Sequence, residues 1–370
     1  MKIAIEAQRI FRKEKHGMDF VALESIRALQ QIDDTNEYFI LVFPGKDRCL
    51  QETANFHIVE IKCPTYILWE QVALPLALRR IKPDLVHCTS NTAPLYCPWP
   101  LLLTLHDIIF LEKKKGSNRS FYQYLGRIYR RWIVPRVIRK CKLIITVSDY
   151  EREHIQKSLC LSHNSIITIY NGLNPVFSPS QKDQAIAKRY IPEEVYLFFL
   201  GNTDPKKNTS TTLKAYSIYL KKSRQKFSLL IADLEESAID DLLLNEELTA
   251  IKPHLYYPGY IPNKDLPYVY TGSFAFLYTS LRESFGLPLL EAMASGTPVI
   301  ASNSSAIPEV AGEGALLVDP TDPEAIALQL VALEEDTNLY DKQVRYGLNR
   351  ATNFSWKKTA RELLNIYNYH

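Results

Sequence analysis

Short apolar runs recur along the first 170 positions, at residues 2–7, 37–43, 56–62, 84–88, 100–105, 142–148 and 165–170, and each reads as a strand. Between them lie stretches with helical spacing near 18–31, 68–81, 117–139 and 149–160. Strand and helix alternating in this way predict an α/β fold with a parallel, doubly wound sheet. Asn174 to Gln184 (NPVFSPSQKDQ), rich in Pro, Ser and charge, reads as a linker. A second alternating unit opens at Val195–Gly201 (VYLFFLG) and runs to about residue 320. From Asp322 onward the pattern is mostly helical, and Phe354–Asn368 carries apolar residues at the spacing of one helix face. The expected division is 1–175, 176–353 and a terminal helical segment 354–370.

The 370 residues are 46% hydrophobic, enough for two full cores. No run of about 18 apolar residues occurs, so no membrane-spanning helix is expected. The N-terminus lacks the apolar run and cleavage site of a signal peptide, which points to a cytoplasmic protein. Its six cysteines form no C-x-x-C pair and read as reduced thiols. Net charge is +3 but unevenly divided. Residues 1–175 hold 25 Lys/Arg against 17 Asp/Glu, and residues 176–370 hold 19 against 24. A basic front half favours an anionic surface or substrate on that side. A nicotinamide cofactor is disfavoured, because QRIFRKEKHG follows the first strand where G-x-G-x-x-G would be needed.

The most informative stretch is Arg282 to Ile300, RESFGLPLLEAMASGTPVI. SFAFLYTS before it reads as a buried strand, LLEAMA as a helix ending at Gly296, and TPVIAS as the next strand. Glu283 therefore sits on the loop leaving a strand and Glu291 in the following helix. Both are expected to face the crevice at the carboxyl edge of a parallel sheet. Backbone N–H groups of Ser284, Phe285 and Gly286 at a helix N-terminus suit a diphosphate, and two carboxylates beside them suit sugar and ribose hydroxyls.

This E-x₇-E arrangement, with FGLP inside it and P-L-L-E-A-M and G-T-P-V-I in register, resembles the signature of the retaining GT-B glycosyltransferases of family four. The resemblance implies two Rossmann-like domains facing an interdomain cleft that closes over the substrates. It implies a nucleotide-diphospho-sugar donor in the second domain and a terminal helix that crosses back to the first. Leu200–Asn208 (LGNTDPKKN) is similar to the family's G-x₃-P-[RK]-K-N element, which makes Lys207 the diphosphate contact. Many members carry Arg where this chain has Asn202, and Lys206 stands in as the second cation. A solvated Lys pair at a helix start is the ordinary alternative. TLHDIIF (Thr104–Phe110) resembles the family's T-x-H-D, in which the His approaches the transferred sugar, here His106. Asp107 either orients it or meets the acceptor. Gly17, in KHGMD, would let the backbone approach the donor phosphates, or is a simple helix-start turn. YPGYIP places the backbone of Tyr260 and Ile261 beside the nucleobase, and Leu287 continues the phosphate loop. Asn171-Gly172 reads as a turn at the domain hinge, and Glu309 as architectural.

LWEQVALPLAL (Leu68–Leu78) resembles a bacterial polysaccharide subgroup, with Glu70 facing acceptor or solvent. From Lys113 to Lys142 there are 11 Lys/Arg and no Asp or Glu. Leu125, Ile128, Tyr129, Trp132 and Ile133 share one helical face there, and Pro135 should interrupt it. Arg127, Arg130, Arg131, Trp132 and Arg136 are the candidate contacts to an anionic bilayer. A helix packed on the sheet with a solvated basic face is the alternative, and no nucleic-acid motif accompanies it. No D-x-D or metal-spaced cluster occurs, so no metal or other cofactor is expected. The expected activity is retaining transfer of a hexose, first choice mannose from GDP-mannose, to a saccharide or lipid-linked saccharide. The expected setting is surface-polysaccharide synthesis, with the protein peripheral on the inner face of the plasma membrane. The rivals are a catalytically silent module of the same fold that binds lipid or a partner enzyme, and an enzyme that hydrolyses or epimerises nucleotide sugars.

Overall fold

The structure, a computed structural model, describes residues 1–13, 15, 17–112, 121–181 and 183–370, with side chains omitted for 121–124. The chain divides into two compact units, Met1–Gly172 with Ser355–His370, and Leu173–Phe354.

The first unit contains β1 (Lys2–Glu6), α1 (Gly17–Ile32), β2 (Glu37–Val42) and β3 (Phe56–Glu60). α2 (Tyr66–Leu68) then runs through a π-helical turn (Trp69–Ala73) into α3 (Leu74–Ile81). β4 (Leu85–Cys88), β5 (Leu101–Thr104), α4 (Phe121–Val137), β6 (Leu143–Thr146), α5 (Asp149–Leu159) and β7 (Ile166–Thr168) complete its sheet. All seven strands are parallel, in the order β3-β2-β1-β4-β5-β6-β7. Both faces are covered, as a parallel sheet requires. Ile3 and Ile5 pack into the core under α1, whereas Ala4 joins the opposite core with Leu74, Leu78 and Val134. α4 begins where residues 113–120 lie outside the described set, and the helix continues through Pro135. Pro135 stands in the last turn, where it has no N–H to donate to the preceding turn, and the helix ends two residues later at Val137.

The second unit contains α6 (Gln184–Ala187), β8 (Tyr196–Leu200), α7 (Thr209–Lys222), β9 (Ser228–Ala232) and α8 (Glu236–Asn245). It continues with β10 (Leu255–Gly259), α9 (Leu266–Gly272), β11 (Ser273–Tyr278), α10 (Leu287–Ala294), β12 (Val299–Ser302), α11 (Ile307–Ala311) and β13 (Leu316–Val318). Two long helices follow, α12 (Pro323–Glu335) and α13 (Thr337–Ala351). Its six parallel strands run β10-β9-β8-β11-β12-β13.

The last helix, α14 (Trp356–Tyr369), belongs to the first unit. Its Tyr367 is fully buried and its hydroxyl lies 2.7 Å from Nδ1 of His87 on β4. A Cβ on Gly172 would fall 2.1 Å from the backbone N of Trp356, so the helix start rests directly on that glycine. Each sheet has a switch point, between β1 and β4 in the first unit and between β8 and β11 in the second. Loops leaving the carboxyl ends of such strands are where open α/β sheets bind ligands.

Candidate active site

At the switch point of the second sheet, the loops after β8 and β11 are stitched together. Asp204 caps the turn at Lys206 N, and the Asn202 side chain accepts from Asp204 N at 2.8 Å, so Asn202 shapes its own loop. Leu281 N donates to Lys206 O at 2.7 Å. Asn208 takes a left-handed conformation (φ 61) and donates through Nδ2 to Thr279 O at 3.0 Å and Pro320 O at 2.6 Å. Lys207 and Glu283 are thereby brought into contact, Nζ to Oε1 2.6 Å, with both side chains largely shielded. Ser305 Oγ accepts from Glu283 N at 2.9 Å, and Lys207 Nζ stands 5.9 Å from the Tyr278 ring centroid. Asp233, left-handed (φ 63) after β9, also feels the Lys207 charge. Burial still pushes its carboxyl above the ordinary range.

Gly286 caps the start of α10 at φ 111, where an L side chain would be strained. Leu287 and Pro288 form the first turn and Glu291 follows one turn later. Phe285 is buried against Phe354, which anchors the loop, while Ser284 stays partly exposed. Glu291 is partly exposed as a residue, yet its carboxyl is surrounded by protein. Burial pushes it up to about 7 against a hydrogen bond from Tyr270 (3.3 Å). Tyr270 and Tyr278 are both buried, and burial beside the two carboxylates raises their hydroxyls well above the ordinary tyrosine range. Tyr260, 67% exposed, and Ile261, buried, follow the edge strand β10 at the same end of the sheet.

In the first unit His106 is buried just past β5. Asn91 Oδ1 accepts from His106 N at 2.6 Å, and Nε2 lies 2.9 Å from Thr89 O. A carbonyl only accepts, so Nε2 carries the proton and Nδ1 is the acceptor of a neutral ring. Burial, opposed by Thr89 and Asp107, pulls the imidazole below its usual range. Asp107 caps the next turn at Ile109 N (3.0 Å). Glu6, at the end of β1, is buried and accepts from Gln8 N at 2.9 Å and Thr89 N at 3.2 Å. Burial raises it to about 7. Of the two readings of Glu70, solvent is excluded: the residue is buried and binds the hydroxyls of Tyr66, Thr92 and Tyr129. Gly17 opens α1, and an added Cβ would meet no atom of the other described residues within 4 Å, its chain neighbours aside.

Residues 17–177 match the model of Glycosyltransferase Family 4 and residues 181–350 that of Glycosyl transferases group 1. O-antigen chain mannosyltransferase B of Escherichia coli is 31% identical over 297 residues, which span 79% of this chain and 76% of that protein. The chain is a glycosyltransferase of family 4. Its fold is GT-B. Sucrose-phosphate synthase from Thermosynechococcus elongatus superposes with a TM-score of 0.75 at 17% identity, covering 100% of this chain and 98% of that one. Anabaena HepE in complex with UDP and glucose does so with 0.70 at 16%, covering 100% and 99%.

In this glycosyltransferase the apolar face expected on α4 splits in two. Ile133 is buried and Tyr129 turns inward to Glu70, whereas Leu125, Ile128 and Trp132 are each about half exposed. Arg127 also turns inward, donating to Phe110 O at 3.0 Å and to Glu112 O. Arg130 Nε bonds Gly126 O, Arg136 stacks 4.5 Å from the Trp132 ring, and Arg131 is exposed. Ile67, Leu68, Val72 and Leu76 add exposed apolar surface on α2, the π-turn and α3. All six cysteines are free thiols. Asn208, Asp233, Tyr270, Tyr278, Ser305 and Asn91 were not singled out from sequence. Of these only Asn208 carried a signal, as the last residue of the PKKN element.

Proposed function

We propose that this glycosyltransferase moves a hexose from a nucleotide-diphospho-sugar to a saccharide acceptor with retention of anomeric configuration. The observation that carries the reading is the Lys207–Glu283 contact at the second switch point, with Glu291 one helical turn behind it. Lys207 neutralises the diphosphate together with Lys206 and the N-terminus of α10. Glu283 accepts from hydroxyls of the transferred sugar, and Glu291 from the ribose. The bond from the anomeric carbon to the diphosphate oxygen breaks as the acceptor oxygen bonds that carbon on the same face. The acceptor proton passes to the departing diphosphate. His106, neutral by burial, orients the sugar. The positive charge at Lys207 stabilises the leaving group without a metal ion.

Mannose from GDP-mannose is our first choice; the name of the Escherichia coli relative supports the sugar, mannose. Among the described residues no helix is long and apolar enough to cross a membrane. The exposed apolar residues of α2–α4, rimmed by Arg131 and Arg136, suit peripheral contact with an anionic bilayer and a lipid-linked acceptor in O-antigen synthesis at the inner face of the plasma membrane. Incubation with GDP-mannose and a mannosyl acceptor in EDTA, followed by NMR of the new linkage, tests the chemistry. An α-linkage from the α-configured donor is expected; a β-linkage, or a strict metal requirement, contradicts it.

A further inference from the structure

The loops that follow β1, β2 and β3 line a half-open cavity of about 390 Å³ that the donor chemistry leaves unused. A single water occupies about 30 Å³, whereas small-molecule sites begin near 300 Å³. Arg9, Arg12, Lys13 and Lys46 line it, and the described lining includes no Asp or Glu. Among the described residues two nearby carboxylates are already paired: Asp19 with Arg9 at 2.8 Å, and Asp47 with Lys15, which also donates to Arg12 O at 2.9 Å. Among the described residues no carboxylate pairs with the exposed Arg12, Lys13 or Lys46. Like charges gathered on one concavity repel one another unless an anion joins them. Phe43, 41% exposed, adds an apolar wall.

We propose that this cavity holds a phosphate or diphosphate group of the acceptor. The inference rests on the proposed transfer to a lipid-linked saccharide, whose membrane contact was placed on α2–α4 of the first unit. The Arg12 guanidinium takes two phosphate oxygens, Lys13 and Lys46 act as point charges, and Phe43 meets whatever the phosphate carries. A lipid diphosphate and a soluble sugar phosphate share this chemistry.

Calorimetric titration of the full chain with geranyl diphosphate and with inorganic diphosphate, at fixed ionic strength, tests it. Arg12→Ser/Lys46→Ser should weaken binding by about tenfold or more, and the same loss should appear in a Lys207→Ala background. Tighter binding of geranyl diphosphate supports a lipid-borne group, and equal binding a soluble one. Unchanged affinity in the double variant overturns the site, as does an equal loss in the distant charge control Arg224→Ser/Lys264→Ser. Lys13→Glu, a single exposed change, repeats the test should the double variant misfold. Binding that depends on Lys207 alone leaves the donor reading standing while this one falls.

Discussion

Asn208 holds a left-handed backbone while its amide ties the β8 loop to Thr279 and Pro320. Replacing it with Ala leaves two carbonyls without their partner and strains the backbone, a loss on the order of 2–4 kcal/mol. Urea unfolding should register that loss; a variant as stable as the parent would remove Asn208 from the framework. Glu283→Ala is expected to lower kcat by about 10²–10³ while the circular dichroism spectrum stays native, and parental turnover would take Glu283 out of the site. Glu283 and Glu291 were legible because a single strand–loop–helix segment encodes their spacing. The partners that position them were not. Thr279 and Pro320 stand 71 and 112 residues from Asn208, and nothing local announces such pairs. Of the hydroxyls that enclose Glu70, Tyr66 lies one helical turn upstream, but Thr92 and Tyr129 stand 22 and 59 residues away and were equally invisible.

Among the elements, strands and helices matched their expected places because uniform apolar runs and helical spacing leave little choice inside a parallel sheet. Faces were harder to assign. The apolar positions of α4 have helical spacing, but Tyr129 is drawn inward by the Glu70 carboxylate, so the stripe divides between core and solvent. This split sets a prediction. Leu125→Ser/Ile128→Ser/Trp132→Ser should weaken binding to anionic vesicles, and Arg131→Gln/Arg136→Gln should do so in a salt-dependent manner. Arg127→Ala acts differently: it frees the carbonyls of Phe110 and Glu112, and should lower the unfolding temperature more than vesicle affinity. Co-sedimentation at two salt concentrations checks both, and absence of vesicle binding in the parent contradicts the membrane contact.

At the scale of the whole molecule, two buried carboxyl groups give stability a specific pH dependence. Glu6 and Glu291 are each raised by burial to about 7. Between their ordinary value near 4.5 and about 7, the folded protein holds protons that the unfolded chain has released. Stability therefore falls as pH rises through that window, by on the order of 3 kcal/mol for each group. Glu6→Gln, which mimics the protonated form, should show a smaller fall in unfolding temperature between pH 5 and pH 8; a fall equal to the parent's would contradict the burial of a protonated Glu6.

The most direct test of the central claim is thermal unfolding of the parent and of Lys207→Ala with GDP, UDP, ADP and their sugar conjugates. A nucleotide at about a hundred times its Kd stabilises the native state by about 2.7 kcal/mol. One base should raise the parent's unfolding temperature, GDP-mannose most of all, and Lys207→Ala should lose most of that rise. No shift with any nucleotide, or an equal shift in the variant, would contradict a donor site built on Lys207 and Glu283.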